Sequence, residues 1–453
     1  MKDINIRKKI TIREGAVADF LVFVALCLFV LSPLIQTVRE MIWPNRGSKY
    51  FGRVSLYPNL VGNINYIVAI VAILFWLLLV RKVIRRGQQG EWPKLFLPLL
   101  FFGILAVWMY VSQAVNGFTE EALVGDTYRS ESLFTFVVYL LGYFFLATIL
   151  RSDKLRQALC YIFLGSNGII GIMVLVDYFW VKLEVFSHSE GMAAIFHQFN
   201  HYGYYLVLGI LVSAVLFIVS GGRLWLRAVC VAVFVLDNIV LILNNTFGCY
   251  LAVIAALLFC AGVFGIARRD KGECLRAGII LGAFIVITVA MHLTGHSAAG
   301  DVAKLANDIE NISAENENAK YAGTGRWTLW KTSVESIKER PIFGWGVDGI
   351  ADRLDAATEG LNNRPHNEFL QWAAFFGVPA FLLYFAALCL VMFGMFPRLK
   401  KLDAVSLTCF ITSAGYIASS MFGNTTYYTA PFFFIFLGMT CRDRYYINEA
   451  DKS

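Results

Sequence analysis

Runs of about twenty apolar residues recur along this chain from Ala16 almost to its C-terminal end, each long enough as a helix to cross the ~30 Å hydrocarbon core of a bilayer. In hydrocarbon every backbone N–H and C=O must be satisfied within the segment. Such runs are therefore helices, and no alternating pattern of the barrel kind competes with them. Counting them predicts an all-α polytopic membrane protein with about 12 transmembrane helices, near residues 16–38, 59–80, 95–115, 131–150, 157–178, 201–220, 228–243, 249–267, 277–294, 367–396, 404–421 and 427–440. With 58% hydrophobic and only 16% charged residues over 453 positions, the chain has no ordinary water-soluble surface, and residues 1–453 are expected to form a single integral membrane domain. Ala16–Val38 has no small-residue cleavage site behind it and is expected to be an anchor.

Lys and Arg set the orientation. Segments 1–15, 81–94, 151–156, 221–227, 268–276, 397–403 and 441–453 hold 25 of the 39 basic residues. The opposite side holds 6 in short segments and 8 in one long loop, which would translocate regardless of charge. Both termini are expected in the cytoplasm, with residues 295–365 as one long extracytoplasmic loop between spans 9 and 10. The formal charge of +7 is mostly this asymmetry plus attraction to anionic lipid, so membrane lipids are expected partners and nucleic acid is not.

All six histidines (His188, His197, His201, His292, His296, His366) fall in outward segments or at outer span ends. The nine cysteines lie within spans or at their cytoplasmic ends, with Cys249 just inside a tight outer turn, so neither a disulfide framework nor a CxxC metal site is expected. The long loop is the polar stretch with room to fold, and function is expected to concentrate there. Asp301–Lys320 reads as a helix or linker with no assigned role.

Thr324–Arg340 reads as an amphipathic helix near 325–340, opened by a capping Thr between two glycines and stopped at Pro341. Trp327, Trp330, Val334 and Ile337 form its apolar stripe. Arg326 falls in the first turn at the stripe's border, with Ser333 and Arg340 following along the same edge. An arginine beside free helical N–H groups can cradle a phosphate. The same pattern describes a helix pressed on the membrane interface with snorkelling arginines. After the glycine-punctuated turn Pro341-Ile-Phe-Gly-Trp-Gly346, Pro365-His366-Asn367 opens the tenth span and brings an imidazole to the mouth of the membrane domain; alone, such a histidine more often caps or hydrogen-bonds a helix start.

Taken in order, Thr324-Gly-Arg-Trp-Thr-Leu-Trp330, Arg340-Pro-Ile-Phe-Gly-Trp-Gly346 and His366-Asn367 followed by nine residues and Gly377 resemble the outer-loop signature of the O-antigen ligase and O-antigen polymerase superfamily. The specific likeness covers about 55 residues and departs from the ligase motif at Ala380. Phe199-Asn200-His201 is similar to the family's Asn-containing opening of the sixth span. Asn244-Asn-Thr-Phe-Gly248 sits where members carry Ser-Arg-Gly, with Phe247 in place of the arginine; Arg39, Arg129, Arg340 and Arg364 are the outer-side substitutes.

The resemblance implies a glycosyltransferase of the bacterial cytoplasmic membrane that acts in cell-surface polysaccharide assembly. It would move a glycan from a polyprenyl (undecaprenyl) diphosphate to an acceptor hydroxyl on a glycan, lipid or protein, with neither metal nor other cofactor. The residue chemistry is compatible. A diphosphate leaves easily once its charge is neutralised, which asks for arginine, and an imidazole of ordinary pKa about 6.5 suits activation of a hydroxyl. On this reading His366 is the catalytic base, Arg326 holds the diphosphate, Asn367 orients one or the other, and Arg340, Arg364 and Asn200 are further substrate-binding candidates.

Three other readings compete: a zinc site, a transporter, and a non-catalytic scaffold, which leaves the outward Arg and His clustering unexplained. His197 and His201, or His292 and His296, are spaced to share a helix face as zinc ligands do, although Gln198 stands where a zinc protease needs Glu and only Glu184 and Glu190 are near. A transporter or flippase for lipid-linked glycans fits twelve spans with both ends inside. Against it, the spans carry few ionisable residues, chiefly Asp177 and Asp237. Tyr427, Tyr428 and Trp345 read as an aromatic belt that could also stack on sugars.

Overall fold

The computed structural model describes residues 17, 19–42, 96–125, 131–148, 150, 152–183, 185–186, 192–196, 198–296, 299–314, 316–360, 362–426 and 428–441. The expected span at 59–80, the basic segments 1–15 and 81–94, Arg129, Glu184, His188, Glu190, His197 and Tyr427 lie outside the described residues.

Where the described sequence is apolar it is helical, and no strand occurs among these residues. Helices α1 (Asp19–Val30) and α2 (Ser32–Ile42) meet at a bend of 51°. Pro33, at that bend, lacks the N–H a continuous helix would use, and Ser32 Oγ donates instead to Phe29 O at 2.5 Å. There follow α3 (Phe96–Asn116), α4 (Glu120–Val124), α5 (Leu133–Thr148), α6 (Asp153–Phe179), α7 (Phe199–Val219), α8 (Leu224–Asn244), α9 (Phe247–Gly262), which runs on as a π-helix through Val263–Arg268, and α10 (Lys271–Leu293). The long loop forms α11 (Ala299–Ser313), a 3-10 turn at Glu317–Tyr321, α12 (Arg326–Glu339) and α13 (Ala351–Ala357); then come α14 (Glu368–Phe393), α15 (Ala404–Ser420) and α16 (Ala430–Thr440).

Seven of these, α3, α6 to α10 and α14, are long and apolar enough to cross a membrane, and α1 with α2 makes an eighth if the bent pair is one span. Twelve runs were expected; α5, α15 and α16 are apolar but shorter than a full crossing, and the run at 59–80 lies outside the described residues.

Polar caps cut the runs into helices. Ser152 accepts from Leu155 N at 3.4 Å to start α6, Asp270 from Glu273 N at 2.8 Å to start α10, and Asp403 from Val405 N and Ser406 N at 2.8 and 2.9 Å to start α15. Each satisfies an N–H that has no partner inside its own helix. Helix α7 is the hub, with 94% of its apolar window buried against 22% for α10 at the rim. It packs on α8, α9 and α15, while α3 packs on α14 and α5 on α16.

Helix α14 breaks at Gly377, whose φ is 86°, two residues before Pro379. The loop fills the break. Trp345 N and Gly346 N donate to Ala374 O and Phe375 O at 2.9 and 2.8 Å, Val378 N donates to Pro341 O at 2.8 Å, and Trp108 Nε1 of α3 donates to Phe376 O at 2.8 Å. These bonds restore the partners that proline and the kink remove. The two backbones lie so close that a Cβ on Gly377 would collide with Ile342 O, and one on Gly344 with Phe375 O. The glycines of the 341–346 turn therefore dock the loop onto α14 and fix the helix that carries His366 at its mouth.

Candidate active site

At the start of α12 the structure corrects two expectations. Thr324 does not cap the helix: its hydroxyl donates to Gly323 O at 2.6 Å, and Gly325, with φ of 83°, occupies the cap position without a side-chain bond. Arg326 N and Trp327 N donate to Gly323 O and Ala322 O, both at 3.3 Å, so the preceding turn occupies N–H groups that were expected to face an anion. What α12 offers is the guanidinium itself. Arg326 Nη1 makes two long bonds, to Gly323 O and Thr324 Oγ1, each at 3.4 Å. Its Nε is buried without a hydrogen-bond partner, and Arg326 joins no ion pair among the described residues. A guanidinium has five N–H donors, so most of this one's capacity is open to an anion.

The expected apolar stripe is divided: Trp330 and Ile337 pack against the core and the other two do not. Trp327 and Val334 are each 39% exposed, and the buried side chains are Leu329, Ser333 and Ser336. Helix α12 packs on α14, and the hydroxyls of the buried Ser333 and Ser336 turn back to Leu329 O and Thr332 O at 2.6 and 2.9 Å.

His366 is held from several sides. Its φ of 50° is left-handed, a conformation that costs a non-glycine residue and persists only where surroundings impose it. Its N–H donates to Asn424 Oδ1 at 2.8 Å, its carbonyl accepts from Trp330 Nε1 of α12 at 3.4 Å, and Nε2 lies 3.1 Å from Asn362 Oδ1. Asn367 behind it caps α14, its Oδ1 accepting from Leu370 N at 3.1 Å and its Nδ2 donating to Met421 O at 3.2 Å.

Arg326 and His366 meet in one cleft of about 420 Å³. Asn200 and Gln198 from the start of α7, Asn362, and Lys320 and Glu359 complete its polar lining. Asn244 fixes the α7 side by donating to Met192 O and Phe199 O at 2.8 and 2.9 Å, which gives the 244–248 turn a structural reason. Lys320 lies 3.4 Å from Glu359 Oε1 and 4.7 Å from the ring centre of Tyr321. The hydrogen bond with Tyr321 and, after it, the Glu359 carboxylate raise the pKa of this exposed ammonium, which keeps it charged.

Of the other expected site residues, Asn200 lines the cleft and three do not. Asn367 is committed to capping. Arg340 stands at the opposite end of α12, about 20 Å along the helix from Arg326; it bonds Asn116 Oδ1 at 3.0 Å and lies 4.0 Å over the Trp345 ring. Arg364 is 1% exposed and bonds Glu131 at 2.7 Å, and also Asp348, tying the loop and the start of α5 to the chain entering α14. Phe247 opens α9 outside the lining. Sequence reasoning missed Lys320, Glu359 and Asn362, because a polar loop offers no periodic signal for which side chains turn inward.

Residues 228–385, about a third of the chain, match the family model described as O-antigen ligase. This stretch is similar to the O-antigen ligase family. It runs from α8 through the loop to beyond the break in α14, and it contains Arg326, Arg340, Arg364, His366 and Asn367, while Asn200 precedes it. The family comprises membrane glycosyltransferase-like ligases and polymerases, whose partners are in general a lipid-linked glycan and an acceptor. No curated protein matches the chain.

Of the residues named for a zinc site, Glu184, Glu190 and His197 lie outside the described residues. Among the described residues no group of three or more His, Cys, Asp or Glu side chains could hold a metal ion. His201 stacks on Tyr428 at 4.8 Å, with Nδ1 3.3 Å from Phe196 O. Asp237 is buried against Asn167, whose amide in its bonding orientation donates to both carboxylate oxygens at 2.7 and 2.8 Å. Asp177 accepts from Leu183 N at 2.6 Å near the end of α6. Both acids serve local packing.

Proposed function

We propose that this protein is a glycosyltransferase of the bacterial cytoplasmic membrane that transfers a glycan from a polyprenyl diphosphate to an acceptor hydroxyl at the outer face. The observation that carries this reading is the meeting of Arg326 and His366 in one cleft, on a stretch similar to the O-antigen ligase family. The acceptor oxygen forms a bond to the anomeric carbon as the bond from that carbon to the diphosphate oxygen breaks. The hydroxyl proton passes to the His366 imidazole, and the electron pair of the broken bond stays on the diphosphate, whose growing charge Arg326 neutralises. Asn367 acts on the imidazole indirectly, by fixing the helix start from which His366 projects.

The test uses the full chain reconstituted in lipid with a lipid-linked repeat unit, comparing wild type with His366→Ala and Arg326→Ala at equal membrane abundance. Transfer is expected to fall in both variants; full activity in both removes the assignment. Chain lengthening without added acceptor identifies a polymerase, and transfer only when a separate acceptor is supplied identifies a ligase.

A further inference from the structure

The cleft contains a second cation whose position is fixed by the same turn that places Arg326. Lys320 and Arg326 stand at the two ends of the segment 320–326, and both line the cleft. Thr328 Oγ1 donates to Lys320 O at 2.9 Å, Gly323 N donates to Asp308 Oδ2 at 2.8 Å, and Ala322 is buried, so the backbone positions from which the two cations project are set before a ligand arrives. The ion pair of Lys320 with Glu359 is open to solvent, its side chains 52% and 74% exposed. Pairs of that kind contribute little and yield readily to a stronger anion. By contrast Arg364 is locked in buried pairs and Arg340 lies at the far end of α12.

We propose that Lys320 is the second phosphate-binding group of this cleft. The proposal rests on the donor being a polyprenyl diphosphate: Arg326 forks one phosphate, the Lys320 ammonium takes the other, and Glu359 is the counter-ion that the diphosphate displaces. Two cations set at the ends of one rigid turn select a diphosphate over a monophosphate, because the second phosphate alone reaches Lys320.

The probes are farnesyl diphosphate and farnesyl monophosphate, titrated against the full chain in lipid nanodiscs by intrinsic fluorescence, with Trp327 and Trp330 on the helix of Arg326. Lys320→Ala is expected to weaken the diphosphate about tenfold, the loss of one charge-assisted contact, and the monophosphate less than about twofold. Lys320→Arg is expected to retain the diphosphate preference, and Glu359→Gln, which frees Lys320, to strengthen it. If Lys320→Ala keeps the full preference while Arg326→Ala loses it, Lys320 is not the second group and the diphosphate reading stands. If neither substitution alters binding of either probe, the diphosphate reading itself falls.

Discussion

At the scale of single residues, the arginines of this loop separate by what surrounds them. Arg326 has two long hydrogen bonds and a buried Nε without a partner, whereas Arg364 is held by two carboxylates at 1% exposure. Arg326→Ala is expected to lower transfer about a hundredfold with normal folding, the effect of removing one charge-stabilising group. His366→Ala is expected to lower transfer by about 10²–10⁴, the usual contribution of a positioned acid–base group, measured as turnover of lipid-linked substrate. Arg364→Ala acts otherwise. It leaves Glu131 buried beside its missing partner and is expected to cost about 3–5 kcal/mol, seen as a lowered thermal transition in detergent. An unchanged transition would show that the pair does not support the fold. Arg364 reads as a substrate-binding candidate in the sequence, because its burial by Glu131, more than two hundred residues earlier in the chain, is invisible from the local pattern.

At the scale of elements, the 341–346 turn and the break in α14 are one unit. Gly377→Ala is expected to lower stability and activity together, since the added methyl must displace Ile342 O and adopt a left-handed φ of 86°. Equal thermal stability of this variant and wild type would refute the docked arrangement. The two faces of α12 give a second contrast. Leu329→Ala, at 0% exposure, is expected to cost about 2–5 kcal/mol, while Val334→Ala, at 39%, stays within about 1 kcal/mol. Existence and ends of α12 were legible to within two residues from Pro341 and the glycines. Its buried face was legible only in part, because Trp327 and Val334 were read into the same stripe as Trp330 and Ile337 and the buried serines were read as polar surface.

At the scale of the whole molecule, the Lys and Arg distribution is the basis for proposing that the cleft faces outward. Cysteines substituted at Lys338 in the loop and at Lys271, the first residue of α10, both exposed, check this directly. An impermeant maleimide is expected to label the first from outside intact spheroplasts and the second only after permeabilisation; the reverse pattern overturns the orientation. On the expected cytoplasmic side Arg268 clamps the bundle, with Nε 2.6 Å from Glu273 and Nη1 3.2 Å from both Leu399 O and Leu402 O. The hub helix α7 connects this side to the loop end, where Asn200 meets the cleft.

The sequence by itself determined that the described apolar runs become helices, and that an arginine stands on a loop helix and a histidine at the start of the helix that follows. Those properties are local: hydrocarbon demands internal hydrogen bonding, and caps and prolines act within a turn. The tertiary structure alone decided which cation meets the imidazole, which is spent on holding the loop, and that Lys320 and Glu359 share the cleft. Each of those outcomes depends on groups far apart in the chain, such as Glu131, Trp108 and Asn424, which come into contact only after the helices pack.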